Sequence, residues 1–72
     1  MNFLQQQSSG ILWNSSKFKI HGIVTDLLGQ ITYSFHGLEP GKNLTLPLTK
    51  GINCITIQGE NGQNWTKKAW VD

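Results

Sequence analysis

The amino-acid sequence predicts an all-β fold. Eight glycines divide the 72 residues into short segments, in which β-branched and aromatic residues alternate with polar ones, as they do in half-buried strands. No window longer than about five residues keeps helical spacing without an interrupting Gly or Pro. Turn signals recur about every 8 to 12 residues, which is typical of sandwiches and small barrels. We therefore expect a small immunoglobulin-like antiparallel β-sandwich of about six or seven short strands.

Length and composition bound the domain organisation and the partners. A chain of 72 residues is long enough for one core and too short for two. The polar segment 1–9 is expected to be a flexible tail, and residues 10–72 a single β-sandwich domain. A net charge of only +2 and the absence of arginine disfavour nucleic acid as a partner. We also expect neither a signal peptide nor a transmembrane segment, because no apolar run is long enough for either.

Segments between turn signals define the strands in order along the chain. Strands are expected over residues 10–13, 18–25, 30–36, 44–49, 52–58 and 63–71. Gly22 indicates a bulge in the second of these, and Pro47, which cannot donate a backbone hydrogen bond, indicates that the fourth lies at a sheet edge. The fifth is apolar on both faces, which is typical of a central strand.

Turn residues explain where these strands end. Residues 26–29 read Asp-Leu-Leu-Gly, which suits a type I turn and a hairpin with a bulged exit. Residues 39–42 read Glu-Pro-Gly-Lys, with Pro and Gly at the two central positions of a type II turn. Asn61 and Gly62 supply the signal of a last hairpin. Alternation along the strands then predicts a core that contains Phe18, Ile20, Val24, Ile31, Tyr33, Phe35, Leu44, Leu46, Ile55, Ile57 and Val71.

Few residues could carry catalysis, because the chain has four carboxylates, two histidines and one cysteine. Three of the carboxylates fall in turns, at Asp26, Glu39 and Glu60. Solvated capping roles are usual there, and Cys54, within the apolar fifth strand, is expected to act as a small hydrophobic residue. His21 and His36 share a predicted outer face, yet a His pair without carboxylate or Cys partners is only a weak metal site. We therefore expect no catalytic, cofactor-binding or metal site, and no enzyme.

Trp65 and Trp70 are candidates for stacking on a ligand. They are five residues apart in one strand, so their side chains point to opposite faces. At least one of them is then available to a sugar ring, unless both are used to fill or cover the core of so small a domain. A carbohydrate-binding or adhesive β-sandwich module of a secreted protein is therefore an alternative function that the residues leave open.

Four segments carry a resemblance to a known family. They are D-L-L-G-Q-I-T-Y-S-F from Asp26, L-E-P-G-K-N-L-T-L-P-L from Leu38, K-G-I-N-C-I-T-I from Lys50 and T-K-K-A-W-V from Thr66. In this order and spacing they resemble the C-terminal sorting domains of the type IX secretion system of Bacteroidetes. Asn53 stands where that family generally has Tyr.

The resemblance implies a non-catalytic, immunoglobulin-like module that directs an exported protein through the outer membrane to the cell surface. Thr66, Lys67 and Lys68 match the Thr-Lys-Lys end motif of the family, which implies that they bind a partner, either a component of the secretion translocon or another protein. The implied location is secreted or at the cell surface, within a larger exported protein. Read without the resemblance, lysines on an edge strand also protect against edge-to-edge aggregation.

Overall fold

Seven strands and no helix make up the part of the chain that the computed structural model describes, residues 2–5 and 9–72. The strands are β1 (Asn2–Gln5), β2 (Ser9–Trp13), β3 (Ile20–Thr25), β4 (Ile31–Leu38), β5 (Asn43–Pro47), β6 (Gly51–Gly59) and β7 (Asn64–Val71). They form two antiparallel sheets, in the orders β1-β2-β5 and β4-β3-β6-β7. The predicted all-β antiparallel sandwich is confirmed. None of the described residues belongs to a helix that could cross a lipid bilayer.

The order of the strands within each sheet does not follow their order along the chain. β2 pairs with β5 and β3 with β6, so strands that are distant in sequence become neighbours in each sheet. The chain passes from one sheet to the other at the β2–β3, β4–β5 and β5–β6 connections. As predicted, β6 is a central strand, and β5, which contains the exposed Pro47, lies at a sheet edge.

The core lies between the two sheets. Side chains of β6 alternate between buried and less buried positions, which is the period of a strand with one face on a core. The buried apolar residues are Leu12, Ile20, Val24, Phe35, Leu46, Leu48, Ile55, Ile57, Ala69 and Val71. Tyr33 and Leu44 are half-buried and pack against this cluster. All predicted core residues except Phe18 and Ile31 therefore belong to the core or contact it.

The predictions for Phe18 and Ile31 are wrong, since their side chains are 43% and 63% exposed. For Ile31 the cause is the register of β4. Tyr33 pairs with Val24 but Ile31 pairs with Thr25, so β4 contains one residue more than β3 over this interval. Such a bulge reverses the faces of the side chains beyond it, and Ile31 therefore lies on the outer side of the sheet. Phe18 precedes β3 and lies in an exposed bend.

The N-terminal segment differs from the flexible tail expected for residues 1–9. Asn2–Gln5 form β1, which pairs with β2 from Asn2 opposite Trp13 to Gln5 opposite Gly10. This pairing supplies hydrogen-bond partners along one edge of β2. The amino-acid composition of the segment does not show that such partners exist. Residue 1 and residues 6–8 lie outside the described part of the chain.

Gly22 is a point of close approach between β3 and its neighbours. A Cβ at this position would lie 2.5 Å from the carbonyl oxygen of Thr56 and 3.1 Å from the ring of Phe35. Ile20 pairs with Leu38 whereas Gly22 pairs with Phe35, so the extra residue of the bulge belongs to β4. The bulge expected at Gly22 thus lies in β4, opposite the neighbouring residue His21, and the missing side chain of Gly22 makes room for the Phe35 ring.

Asn14 is fully buried in the β2–β3 connection. Its amide nitrogen donates hydrogen bonds to the carbonyl oxygens of Phe18 and Leu38, at 2.8 and 2.9 Å. Its amide oxygen accepts hydrogen bonds from the backbone N–H and the hydroxyl of Ser16. Two backbone hydrogen bonds also join Asn14 to the β4–β5 turn. One residue therefore holds together two of the connections that cross between the sheets.

Asn53, also fully buried, holds the β5–β6 connection. Its amide oxygen accepts hydrogen bonds from the backbone N–H and the hydroxyl of Thr49, both at 3.0 Å. Its amide nitrogen donates to the Thr49 carbonyl at 2.8 Å and to the carbonyl of Ala69, in β7, at 3.4 Å. The two asparagines together thus secure every connection that crosses between the sheets.

Candidate functional site

β7 is one of the two edge strands of the four-stranded sheet. Among the described strands it pairs with β6 alone. This pairing runs from Gly51 opposite Val71 to Gln58 opposite Asn64 without a register shift. The other side of β7 is a regular edge of 8 residues, where backbone N–H and C=O groups are available to another chain.

The three predicted partner-binding residues lie in the middle of β7, and all are exposed. Thr66 and Lys68 share the outer side of the sheet, where they face side chains of β6 that also lie outside the core. Lys67 pairs with Ile55, whose side chain is in the core, so Lys67 leaves the strand on the opposite side. Two positive charges therefore stand one on either side of the open edge.

Trp65 and Trp70 lie on opposite sides of β7, as their spacing predicts. Trp65 is half-buried, packs against the core and stands beside Gly59, where a Cβ would lie 3.5 Å from the indole ring. Trp70 is 61% exposed, and its indole N–H donates a hydrogen bond to the carboxylate of Asp72 at 3.0 Å. The structure does not bring the two indoles together, and only Trp70 has a ring that is largely open to solvent.

The other sheet edges carry features that hinder pairing with a further strand. β4 contains two register shifts, one near each end of its pairing with β3. β5 ends at Pro47, and β1 has only 4 residues. Bulges, prolines and shortness all weaken an edge as a template for strand addition. β7 has none of these features, so it is the edge best suited to accept an extended partner chain.

We call the solvent-facing side of the four-stranded sheet the outer face. Its side chains include His21, Ile23 and Thr25 of β3, Ser34 and His36 of β4, Cys54, Thr56 and Gln58 of β6, and Thr66, Lys68 and Trp70 of β7. Cys54 is half-buried here and pairs with Lys68, so it is not enclosed in the core. The outer face is therefore a mixed surface with one exposed indole, two histidines and a lysine.

The two histidines meet on the outer face, as predicted. The ring centroids of His21 and His36 are 6.0 Å apart, and the ring planes are inclined by 17°. Nε2 of His21 lies 2.9 Å from Oε1 of Gln58, on the neighbouring strand β6. A depression of about 170 Å³ between β3 and β6 is lined by His21, Gly22, Ile23, Thr56 and Gln58.

The carboxylates of Asp26 and Glu60 accept backbone hydrogen bonds in turns and connections. Asp26 accepts hydrogen bonds from the backbone N–H groups of Leu28 and Gln30, both at 2.9 Å. Glu60 accepts one from the backbone N–H of Lys19 at 3.2 Å. Within residues 2–5 and 9–72 no group of three or more His, Cys, Asp and Glu could hold a metal ion. The described surface also carries an open strand edge with exposed lysines and one largely exposed indole ring.

Reasoning from sequence missed Asn14 and Asn53 as buried residues. For Asn53 a signal was present, because asparagine is depleted in strand interiors and this one interrupts the most apolar strand of the chain. For Asn14 none was present, since Asn followed by two serines is also typical of an exposed turn.

Comparison with known proteins finds no matching family model, no similar curated protein and no similar solved structure. A proposal for the function therefore starts from β7 and the outer face.

Proposed function

We propose that the chain is a non-catalytic sorting module that directs an exported protein through the outer membrane to the cell surface, and that a component of the secretion translocon binds β7. One observation carries the proposal. β7 is a regular edge strand with Thr66, Lys67 and Lys68 exposed at its centre. The resemblance of this Thr-Lys-Lys sequence to the end motif of type IX sorting domains also supports β7 as the strand that binds the partner.

The physical properties of β7 suit this role. An extended partner segment can add to a sheet edge through main-chain hydrogen bonds, which supply affinity for many sequences. Specificity must then come from side chains that flank the edge. Lys67 and Lys68 stand on opposite sides of β7, so a partner with an acidic residue on each side is complementary to both. Such exposed charges act chiefly on the rate of association and on the choice of partner.

A secretion assay tests the proposal directly. The full 72-residue chain, which includes β1 because β1 pairs with β2, is fused to the C-terminus of a reporter that carries a Sec signal. In a host with a type IX system, the fusion should reach the cell surface, whereas the reporter without the domain should remain in the periplasm. Periplasmic retention of a folded fusion contradicts the proposal.

A carbohydrate-binding or adhesive module is the second candidate, and the exposure of Trp70 favours it. An exposed indole ring offers a flat apolar surface on which a sugar can stack. Binding of a glycan at the Trp70 ring should change the tryptophan emission of the unmodified protein. It should also change the emission of the control variant Trp13→Phe, because Trp13 lies in the other sheet and its removal leaves Trp70 in place. It should not change the emission of Trp70→Phe. A glycan panel that leaves the emission of the unmodified protein constant would exclude this candidate.

A further inference from the structure

His21 and His36 are direct neighbours across two antiparallel strands. Between the pairs Ile20–Leu38 and Gly22–Phe35, the single residue His21 of β3 lies opposite two residues of β4, His36 and Gly37. Gly37 has a φ of 65°, the left-handed conformation that glycine adopts readily. Side chains of directly opposed residues lie close enough to contact the same small ligand, and the 6.0 Å between the ring centroids agrees with this.

Gln58 determines which nitrogen of His21 is available. Its Oε1 atom can only accept a hydrogen bond, and it lies 2.9 Å from Nε2 of His21. This contact suits the neutral tautomer in which Nε2–H donates to Gln58 and the lone pair of Nδ1 is free for a metal ion. A metal-binding histidine usually donates its other ring N–H to an oxygen in this way, because the hydrogen bond fixes the tautomer and the orientation of the ring. Gln58 is held in place by the pairing of β3 with β6, in which it stands opposite His21.

The pair is accessible from solvent, since His36 is exposed and His21 is half-buried. The depression of about 170 Å³ lies on the other side of His21, between β3 and β6, and His36 does not line it. Among the described residues no third His, Cys, Asp or Glu joins the pair. A bound ion would thus have two imidazole ligands from the protein and water at its remaining positions.

We propose that His21 and His36 form an exchangeable binding site for a divalent transition-metal ion, with Gln58 as a positioning residue. Imidazole nitrogen suits Cu²⁺, Ni²⁺ and Zn²⁺, and the general order of affinities makes Cu²⁺ the most tightly bound of the three. The site is independent of β7 and of the sorting function proposed above. The rings are stacked, with their planes inclined by 17°, so binding requires them to rotate about their side-chain torsions until a nitrogen lone pair of each points at the same ion.

Titration of the full chain with CuCl₂ tests the site. The chain has 2 histidines, so each ligand can be removed in turn and there is no third imidazole to replace it. The unmodified protein should bind one equivalent of Cu²⁺, with an electron paramagnetic resonance spectrum that shows two coordinated nitrogens. His21→Gln and His36→Gln should each weaken binding by about tenfold or more and leave one such nitrogen, as expected for loss of one ligand. His36→Gln with unchanged affinity and spectrum would overturn the proposal.

A second measurement on the unmodified protein covers the case in which a variant fails to fold. Substoichiometric Cu²⁺ broadens the nuclear magnetic resonance signals of nuclei close to it. The ring signals of His21 and His36 should broaden first, followed by those of Gln58. Broadening centred elsewhere, for example at the N-terminal amine or at Cys54, would contradict the assignment of the site to these two histidines.

Discussion

Two buried asparagines are the residues on which the connections between the sheets depend most. Asn14 satisfies the carbonyl groups of Phe18 and Leu38 and the N–H of Ser16. Removal of such a side chain leaves buried polar groups without partners, and each of these costs about 1–3 kcal/mol. Each of the two amide groups therefore contributes several hydrogen bonds to the stability of the domain, because each bonds to more than one segment of the chain.

Asn14→Ala should lower the free energy of unfolding by about 2–4 kcal/mol, since several partly buried backbone groups lose their hydrogen bonds together. Urea titration followed by tryptophan fluorescence measures the change. Asn43→Ala and Asn64→Ala remove exposed asparagines and serve as controls that should stay within about 0.5 kcal/mol of the unmodified protein. An Asn14→Ala variant as stable as these controls would show that the amide does not hold the connections.

Gly22→Ala should destabilise the domain by about 1–3 kcal/mol, because the new methyl group overlaps a backbone carbonyl and an aromatic ring that cannot both move away. Gly59→Ala is the matched control. Its Cβ would approach the side-chain oxygen of Asn61 at 2.8 Å, and that side chain can rotate. Thermal unfolding of the two variants compares them, and a smaller effect at Gly22 than at Gly59 would contradict the close approach seen at Gly22.

At the scale of elements, alternation and turn chemistry suffice to predict most of the structure. The turn at residues 26–29 has the predicted hydrogen bond from the Gly29 N–H to the Asp26 carbonyl, at 3.0 Å. The turn at residues 39–42 has the equivalent bond from Lys42 to Glu39, at 3.1 Å. The position of Ile31 could not be predicted, because a bulge is visible only in the pairing of two strands and not in either strand alone.

β7 closes one side of the core, so its removal should unfold the whole domain. Truncation after Gly62 deletes Ala69 and Val71, which are 2% and 5% exposed, together with the hydrogen bonds along β6. So small a domain has few apolar groups to spare. Far-UV circular dichroism of residues 1–62 should show loss of the strand signal, whereas deletion of Asp72 alone should leave the spectrum unchanged. Cooperative unfolding of the truncated chain would contradict this role of β7.

At the scale of the whole molecule, the fold class can be predicted from hydrophobic alternation and turn residues. The edges and side chains that the folded domain exposes for binding cannot. The spacing of Trp65 and Trp70 shows that they lie on opposite faces, yet only the position of the second sheet decides which indole is covered. The exposed edges likewise depend on strand order, which brings β5 beside β2 and β6 beside β3. The sequence places His21 and His36 on the outer face of neighbouring strands, so their proximity could be predicted. The hydrogen bond from His21 to Gln58 could not be predicted, because it depends on the pairing of β3 with β6.

The proposed binding of a translocon component at β7 is tested most directly by comparing two double variants in the secretion assay. Lys67→Ala with Lys68→Ala removes two charges from the β7 edge. Lys17→Ala with Lys42→Ala removes two from exposed positions in the β2–β3 and β4–β5 connections. Both variants should stay within about 0.5 kcal/mol of the unmodified protein in stability, because all four side chains are solvated.

The rate at which the reporter appears on the cell surface is the measurement. We expect Lys17→Ala with Lys42→Ala to be exported at the normal rate, and Lys67→Ala with Lys68→Ala to remain largely in the periplasm while folded. Export of both double variants at the normal rate would contradict the account, and it would leave Lys67 and Lys68 with only the role of protecting an open edge from aggregation.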